Sequence, residues 1–317
     1  MLIKNIFILE QLIIRKNISI NTKWKQNGIT ILGGNGCGNG LNQFNYPWGI
    51  YINHDQTIYV ADQYNHRIIE WKKGERNGKI VAGGKGTGNQ NDQLYNPTNV
   101  IIDQKSDCLI ISDWRNKRIV RWSRSNSRNG ETIISNVYCR GLVMDNNDYL
   151  YVCDYEKHEV RRWKIGEKNG ILVAGGNGKG NHLNQFNHPM NIFVDQNDSI
   201  YVSDMGNNRV MKWMKGAKEG IIVAGGQGEG NSFKQLSGPY GIIVDQLETV
   251  YVADSGNHRV MRWYKEAKEG NIIVGGNGKG QQLNQLNGPI DLSFDGENNL
   301  YVVDFWNNRV QKFLIDK

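Results

Sequence analysis

Short apolar runs rich in Val, Ile and Tyr alternate along almost the whole chain with clusters of Gly, Asn and Asp. Within a run, hydrophobic and polar positions alternate, which is the period of a half-buried strand and not of a helix. Between residues 240 and 274 this reads as four strands, over 240–244, 249–253, 259–263 and 271–274.

The pattern repeats. Residues 201–213 (YVSDMGNNRVMKW) and 251–263 (YVADSGNHRVMRW) agree at nearly every position, and their shared aspartate recurs at Asp62, Asp113, Asp154, Asp204, Asp254 and Asp304, in steps of 51, 41, 50, 50 and 50 residues. All five prolines, Pro47, Pro97, Pro189, Pro239 and Pro289, hold one position of the repeat, and a glycine-rich stretch precedes each. A lone four-stranded sheet cannot bury both faces, but six such sheets stacked radially can. The expected fold class is therefore all-β, a six-bladed β-propeller of four-stranded antiparallel blades.

The chain ends after the third strand of its sixth unit, whereas residues 27–34 (NGITILGG) match the fourth-strand segment 220–226 (GIIVAGG). Residues 28–34 are thus expected to complete the blade formed by 289–317 and close the ring through ladder hydrogen bonds. This gives a single propeller domain over 19–317, with residues 1–18 outside the ring. Trp24 looks like the end of a third strand whose place is already filled.

The turn sequences Asn257-His258-Arg259-Val260 and Asn65-His66-Arg67, with the variants Asn207-Asn208-Arg209 and Asn307-Asn308-Arg309, resemble the NHL repeat over essentially residues 28–314. The resemblance implies a six-bladed propeller that acts as a binding platform, and it specifies function weakly. Tripartite-motif ubiquitin ligases carry such a propeller beside RING and B-box modules, some bacterial receptor kinases display one, and a peptide-amidating lyase is built on a related one with zinc-holding histidines. The third unit departs from the pattern: Lys157-His158-Glu159 replaces the Asn-x-Arg frame, and the preceding step of 41 has lost the glycine-rich loop.

Composition removes some alternatives. With 317 residues, 38% of them hydrophobic and 22% charged, the chain can bury a sizeable core. No apolar window reaches the roughly 18 residues a membrane helix needs. Cys37, Cys108, Cys139 and Cys153 form no CxxC pair, which excludes a RING, a zinc ribbon and a thioredoxin site. A disulfide between Cys139 and Cys153 is left open. The first 17 residues are apolar and lightly basic like a signal peptide, but Glu10 and Gln11 interrupt them and no small-residue cleavage site follows, so the compartment is left open.

A residue present in every unit serves the blade, and one that differs between equivalent units is available to a ligand. The recurrent aspartates, all but Asp154 with an arginine five residues later as in Asp62 and Arg67, read as ion pairs bracing the turn between strands two and three. Trp71, Trp122, Trp163, Trp213, Trp263 and Phe313 read as wedges between blades. The glycine stretches lack the Lys-Ser/Thr of a phosphate loop and lead into strands, so they read as loops needing positive φ, with Gln43, Gln93, Gln185, Gln235 and Gln285 satisfying their backbone. His66, His158 and His258 hold one turn position and are expected to make turn hydrogen bonds, being too far apart for a metal site.

At the innermost strand, Asn99, Asn191 and Asp291 alternate with Gly49, Gly141 and Gly241 around the axis. They read as lining of a water-filled channel and as weak metal candidates, since one carboxylate is thin for calcium. The loop-rich face carries Trp48, Thr98, Arg140, Met190, Tyr240 and Ile290 near the channel mouth. Outside them come Gln63, Tyr64, Trp114, Arg115, Tyr155, Met205, Phe305 and Trp306, and the set is enriched in the aromatic, Met and Arg residues of protein-binding surfaces. The net charge of +7 comes from Lys and Arg clustered after strand three, on the opposite rim, interleaved with Glu.

The expected function is a non-catalytic platform for a protein or peptide, contacting it through Trp48, Trp114, Arg115, Arg140, Tyr155, Met190, Met205, Tyr240, Phe305 and Trp306. No catalytic residue and no cofactor is assigned, and a monomer is expected. The runner-up is a channel-centred calcium- or zinc-dependent hydrolase or lyase using Asn99, Asn191 and Asp291. A third reading is RNA binding through the basic rim.

Overall fold

The computed structural model describes residues 18–125 and 128–316. Six four-stranded antiparallel sheets stand around a common axis. Blade 1 consists of Pro47–Ile52, Ile58–Asp62, Arg67–Trp71 and Lys79–Gly83, in that order from the axis outward. Blades 2 to 5 repeat this plan, and in blade 5 the strands are Pro239–Val244, Val250–Asp254, Arg259–Trp263 and Asn271–Gly275. Blade 6 takes three strands from the C-terminal end, Pro289–Phe294, Leu300–Asp304 and Arg309–Phe313, and its outer strand from the N-terminal side. That strand is Ile29–Gly33, antiparallel to Arg309–Phe313 with Ile29 opposite Lys312 and Gly33 opposite Arg309. The ring is closed as the sequence implies.

Second strands are buried along their whole length in blades 1, 4, 5 and 6 and at all but their first residue in blades 2 and 3, because each lies inside a sheet covered on both faces by neighbouring blades. The residues ending strand three fill the clefts. Trp122 is 1% exposed and packs with Tyr59 and Ala61 of blade 1, while Trp213 packs with Tyr151 and Cys153 of blade 3. Burying each such ring contributes on the order of 1.5–3 kcal/mol.

Of the segment expected outside the ring, residues 1–17 lie outside the described residues, and Ile18 is buried against blades 5 and 6. Trp24 takes no third-strand place. It is wedged in the same cleft, stacked on Phe294 with ring centroids 5.8 Å apart, and its indole N–H donates to the Asn298 carbonyl at 3.0 Å. Lys23–Trp24 pairs with Ile315–Asp316, a second seam between the two ends of the described chain.

The recurrent aspartate does more than brace a turn. Asp254 accepts from the Ser237 backbone N–H at 2.7 Å, the Asn257 amide at 2.8 Å and Arg259 Nε at 2.7 Å. The other Arg259 nitrogens donate to the carbonyls of Asn231, Ser232 and Gln235, so the pair clamps the glycine-rich loop onto its blade. Blades 1, 2, 4, 5 and 6 share this clamp. Blade 3 lacks it, since Glu159 stands where the arginine would be and pairs with Arg161 instead. The glutamines hold the loops from within, as Gln43 Nε2 does by donating to the Asn35 carbonyl at 2.9 Å. A buried residue at each loop end, Phe44, Leu94, Phe186, Leu236 or Leu286, anchors the loop to the core.

The turn histidines join blades, a wider reach than the turn bonding expected of them. His66 Nδ1 accepts the N–H of Asn96, His158 Nδ1 that of His188, and His258 Nδ1 that of Gly288, at 3.0–3.2 Å. Asn208 and Asn308 do the same through Oδ1 for Gly238 and Tyr46, each at 2.8 Å. Every acceptor belongs to one blade and every donor precedes the first strand of the next. Between blades 2 and 3 the corresponding residue is Lys117, whose ammonium lies 4.9 Å from the centre of the Tyr138 ring.

Candidate functional site

The innermost strands converge at the axis, where their alternating glycines make room for the polar residues. A Cβ on Gly241 would fall 2.7 Å from Asp291 Cα, and one on Gly49 would fall 2.6 Å from the Thr98 carbonyl oxygen. The channel is consequently almost filled. A cavity with room for about one water lies among Trp48, Asn99, Arg140, Asn191, Tyr240 and Asp291. Asn191 Nδ2 donates across the axis to Asp291 Oδ1 at 3.1 Å. Asp291 also accepts the backbone N–H groups of Ile50 at 2.9 Å and Leu292 at 3.0 Å. Burial pushes its carboxyl up to about 7, against the lowering effect of these donors. The carboxylate oxygens thus already serve N–H donors. Among the described residues, no group of three or more His, Cys, Asp or Glu comes together to hold a metal.

Above the axis the loop-rich face gathers most of the residues expected there. Arg140 is only 8% exposed. Its guanidinium carbon lies 3.6 Å from the centre of the Trp114 ring, 4.5 Å from Trp48 and 5.3 Å from Tyr155, which brings blades 1, 2 and 3 together. Arg115 is exposed and lies over the same Trp114 ring at 4.3 Å. Burial lowers the Arg140 guanidinium to about 10, and Arg115 adds to that. Loss of the glycine-rich loop does not open this junction, because Arg140 fills it. Met190 and Ile290 are likewise buried and line the cavity from within, and Thr98 is buried against Ser112.

From Trp48 an aromatic strip runs outward over blades 6 and 1. Trp48 packs edge-on against Phe305 at 5.5 Å and against Tyr240 at 5.8 Å. Phe305 meets Trp306 at 5.1 Å and Tyr46 at 5.0 Å, and Tyr46 meets Tyr64 at 5.3 Å. Trp306 and Tyr64 are 55% and 50% exposed. Tyr46 belongs to this strip although sequence comparison passed it over. It holds the position before the proline that is glycine in blades 5 and 6, with φ at 56°, and a large aromatic in place of glycine was the available signal. Met205 lies apart from the strip, half-buried in its own turn of blade 4.

The NHL repeat family model matches residues 44–70 and 286–313. The chain carries NHL repeats. No curated protein sequence matches it. Among solved structures, this NHL propeller is similar to an auxiliary nutrient binding protein from Bacteroides thetaiotaomicron VPI-5482, at 15% identity over 94% of this chain and 78% of that one, with a TM-score of 0.72. It is also similar to virginiamycin B lyase from Staphylococcus aureus with quinupristin, at 12% identity over 92% of this chain and 99% of that one, TM-score 0.59. A chain of the nidogen/laminin complex matches at 14% identity over 72% and 79%, TM-score 0.57. At these identities the likeness is one of fold. Among the described residues, no helix is long and apolar enough to cross a membrane.

Proposed function

We propose that this NHL propeller is a non-catalytic recognition platform that takes a protein or peptide across its loop-rich face. The observation that carries the reading is the continuous aromatic strip from Trp48 through Phe305 and Trp306 to Tyr64, which ends half-exposed instead of closing into the core. Rigid aromatic rings give large contact area for little conformational entropy, and they are the usual anchors of protein-binding hot spots. The fold is shared with a nutrient binding protein and with a chain of the nidogen/laminin complex, which supports a binding role. It is equally shared with a lyase. The lyase reading finds less support in the channel, where the Asp291 oxygens accept three N–H groups.

The test is selection of short peptides from a random display library on the purified full chain, followed by titration against a Trp306→Ala, Tyr64→Ala double variant. Loss of on the order of tenfold or more in affinity is expected, at an unchanged thermal midpoint. Peptides that bind parent and variant equally would refute the assignment of this face.

A further inference from the structure

A guanidinium this deeply buried ordinarily faces a carboxylate, because an uncompensated charge away from water is costly. Arg140 does not. Its Nε and Nη1 are buried with no hydrogen-bond partner, and among the described residues no carboxylate forms an ion pair with it or is among the groups that act on its charge most. The nearby charged group that does act on it, Arg115, has the same sign. Three ring faces hold the cation in place, and they satisfy neither its N–H donors nor its need for a counter-charge.

We propose that Arg140 anchors an acidic side chain of the peptide bound on this face, with the residues next to that side chain lying along the aromatic strip that begins at Trp48. The inference rests on the platform reading and names its ligand chemistry. Three observations carry it: the unpartnered buried guanidinium, the second cation beside Trp114, and the small cavity at Trp48 and Tyr240, which has room for about one oxygen of water's size. Unused N–H donors on a permanent cation match a carboxylate oxygen in hydrogen bonding as well as in charge. A single-stranded nucleic acid would need a row of cations along its path, and the strip from Trp48 to Tyr64 is uncharged.

The experiment uses the full chain and two short-peptide arrays, random except for a central residue fixed as Glu in one and as Gln in the other. The parent should retain Glu peptides over their Gln counterparts by on the order of ten- to a hundredfold. Arg140→Met should erase that preference while its thermal midpoint holds or rises, since a buried charge without a partner has been removed. A merely structural arginine would instead lower the midpoint and leave the preference intact, and that result would overturn the proposal. Peptides retained in a Trp306-dependent way without preference for Glu would also overturn it, with the platform left standing. If neither array is retained, the platform reading fails and this one falls with it. Should Arg140→Met not fold, Arg140→Lys keeps the charge and loses the planar guanidinium with its Nε–H donor; weakened binding of Glu peptides is expected, and unchanged affinity would count against the carboxylate anchor.

Discussion

The interblade latches make the ring sensitive to mild acid, and the sign follows from the geometry. His66, His158 and His258 each accept a backbone N–H at Nδ1, so each ring is neutral with its proton on Nε2. Protonating Nδ1 would set a donor against a donor. Burial holds all three below the ordinary 6.5. Lys179 and His188 add to this at His158 and Lys279 does at His258, while Asp113 opposes it at His66, as do Asp154 and Glu156 at His158 and Asp254 and Asp304 at His258. The unfolded chain therefore takes up these protons first. Stability is full above about 6.5 and is lost as the pH falls through the folded-state values. Losing one such bond with its donor left unpaired costs about 1–2 kcal/mol, so three latches put about 3–6 kcal/mol at stake when all are protonated. Asn208 and Asn308 perform the same task without a titrating group. A triple variant, His66→Asn, His158→Asn and His258→Asn, should match the parent in urea unfolding at about pH 7.5 and exceed it by several kcal/mol at about pH 5. Asp291, whose carboxyl sits near 7 in the folded chain, works in the opposite direction but is common to both proteins and cancels in the comparison. Equal slopes of stability against pH in the two proteins would refute the latch argument.

Arg259→Ala should cost about 3–5 kcal/mol in urea unfolding, because it strands the buried Asp254 carboxylate and removes the donors to three loop carbonyls at once; a cost below about 1 kcal/mol would mean that the clamp is solvated. Cys37 is exposed, whereas Cys139 and Cys153 are unpaired and fully enclosed, and burial pushes the Cys139 thiol up to about 12. A chromogenic disulfide reagent should therefore modify Cys37 in the native chain and reach Cys139 and Cys153 only on unfolding.

The fold was legible because its unit is written out repeatedly: a wedge such as Trp213 or Trp263 meets the same environment in each blade, so its recurrence reports its role directly. The seam could be read for the same reason, since residues 27–34 carry the fourth-strand pattern far from the strand they complete. What recurrence cannot report is contact between units. The latches were hidden because histidine and asparagine look different as letters while offering the same lone pair to the neighbouring blade. The loop clamp was half-read, with the Asp–Arg pair inferred and its carbonyl partners, some two dozen residues away, invisible. Arg140 could be singled out as a departure from the repeat. Its burial could not, because that depends on Trp48 and Trp114 of two other blades closing over it.

The departures from the repeat converge on one junction. Between the outer strand of blade 2, Gly130–Ser135, and the first strand of blade 3, Cys139–Met144, the glycine-rich loop, the proline, the latch and the Asp–Arg clamp are all missing. Decay of a repeat would scatter such losses around the ring, since each blade packs against equivalent neighbours. Instead, the junction that gives up the most local stabilisation is also the one holding a buried cation without a counter-charge, walled by three aromatic rings. Local rules broken together at one place are what a binding site leaves in an otherwise consistent fold. The clamps belong to the other five blades and the latches to the other five junctions, which is why the clamp and latch variants should change stability while leaving the proposed preference for an acidic peptide untouched.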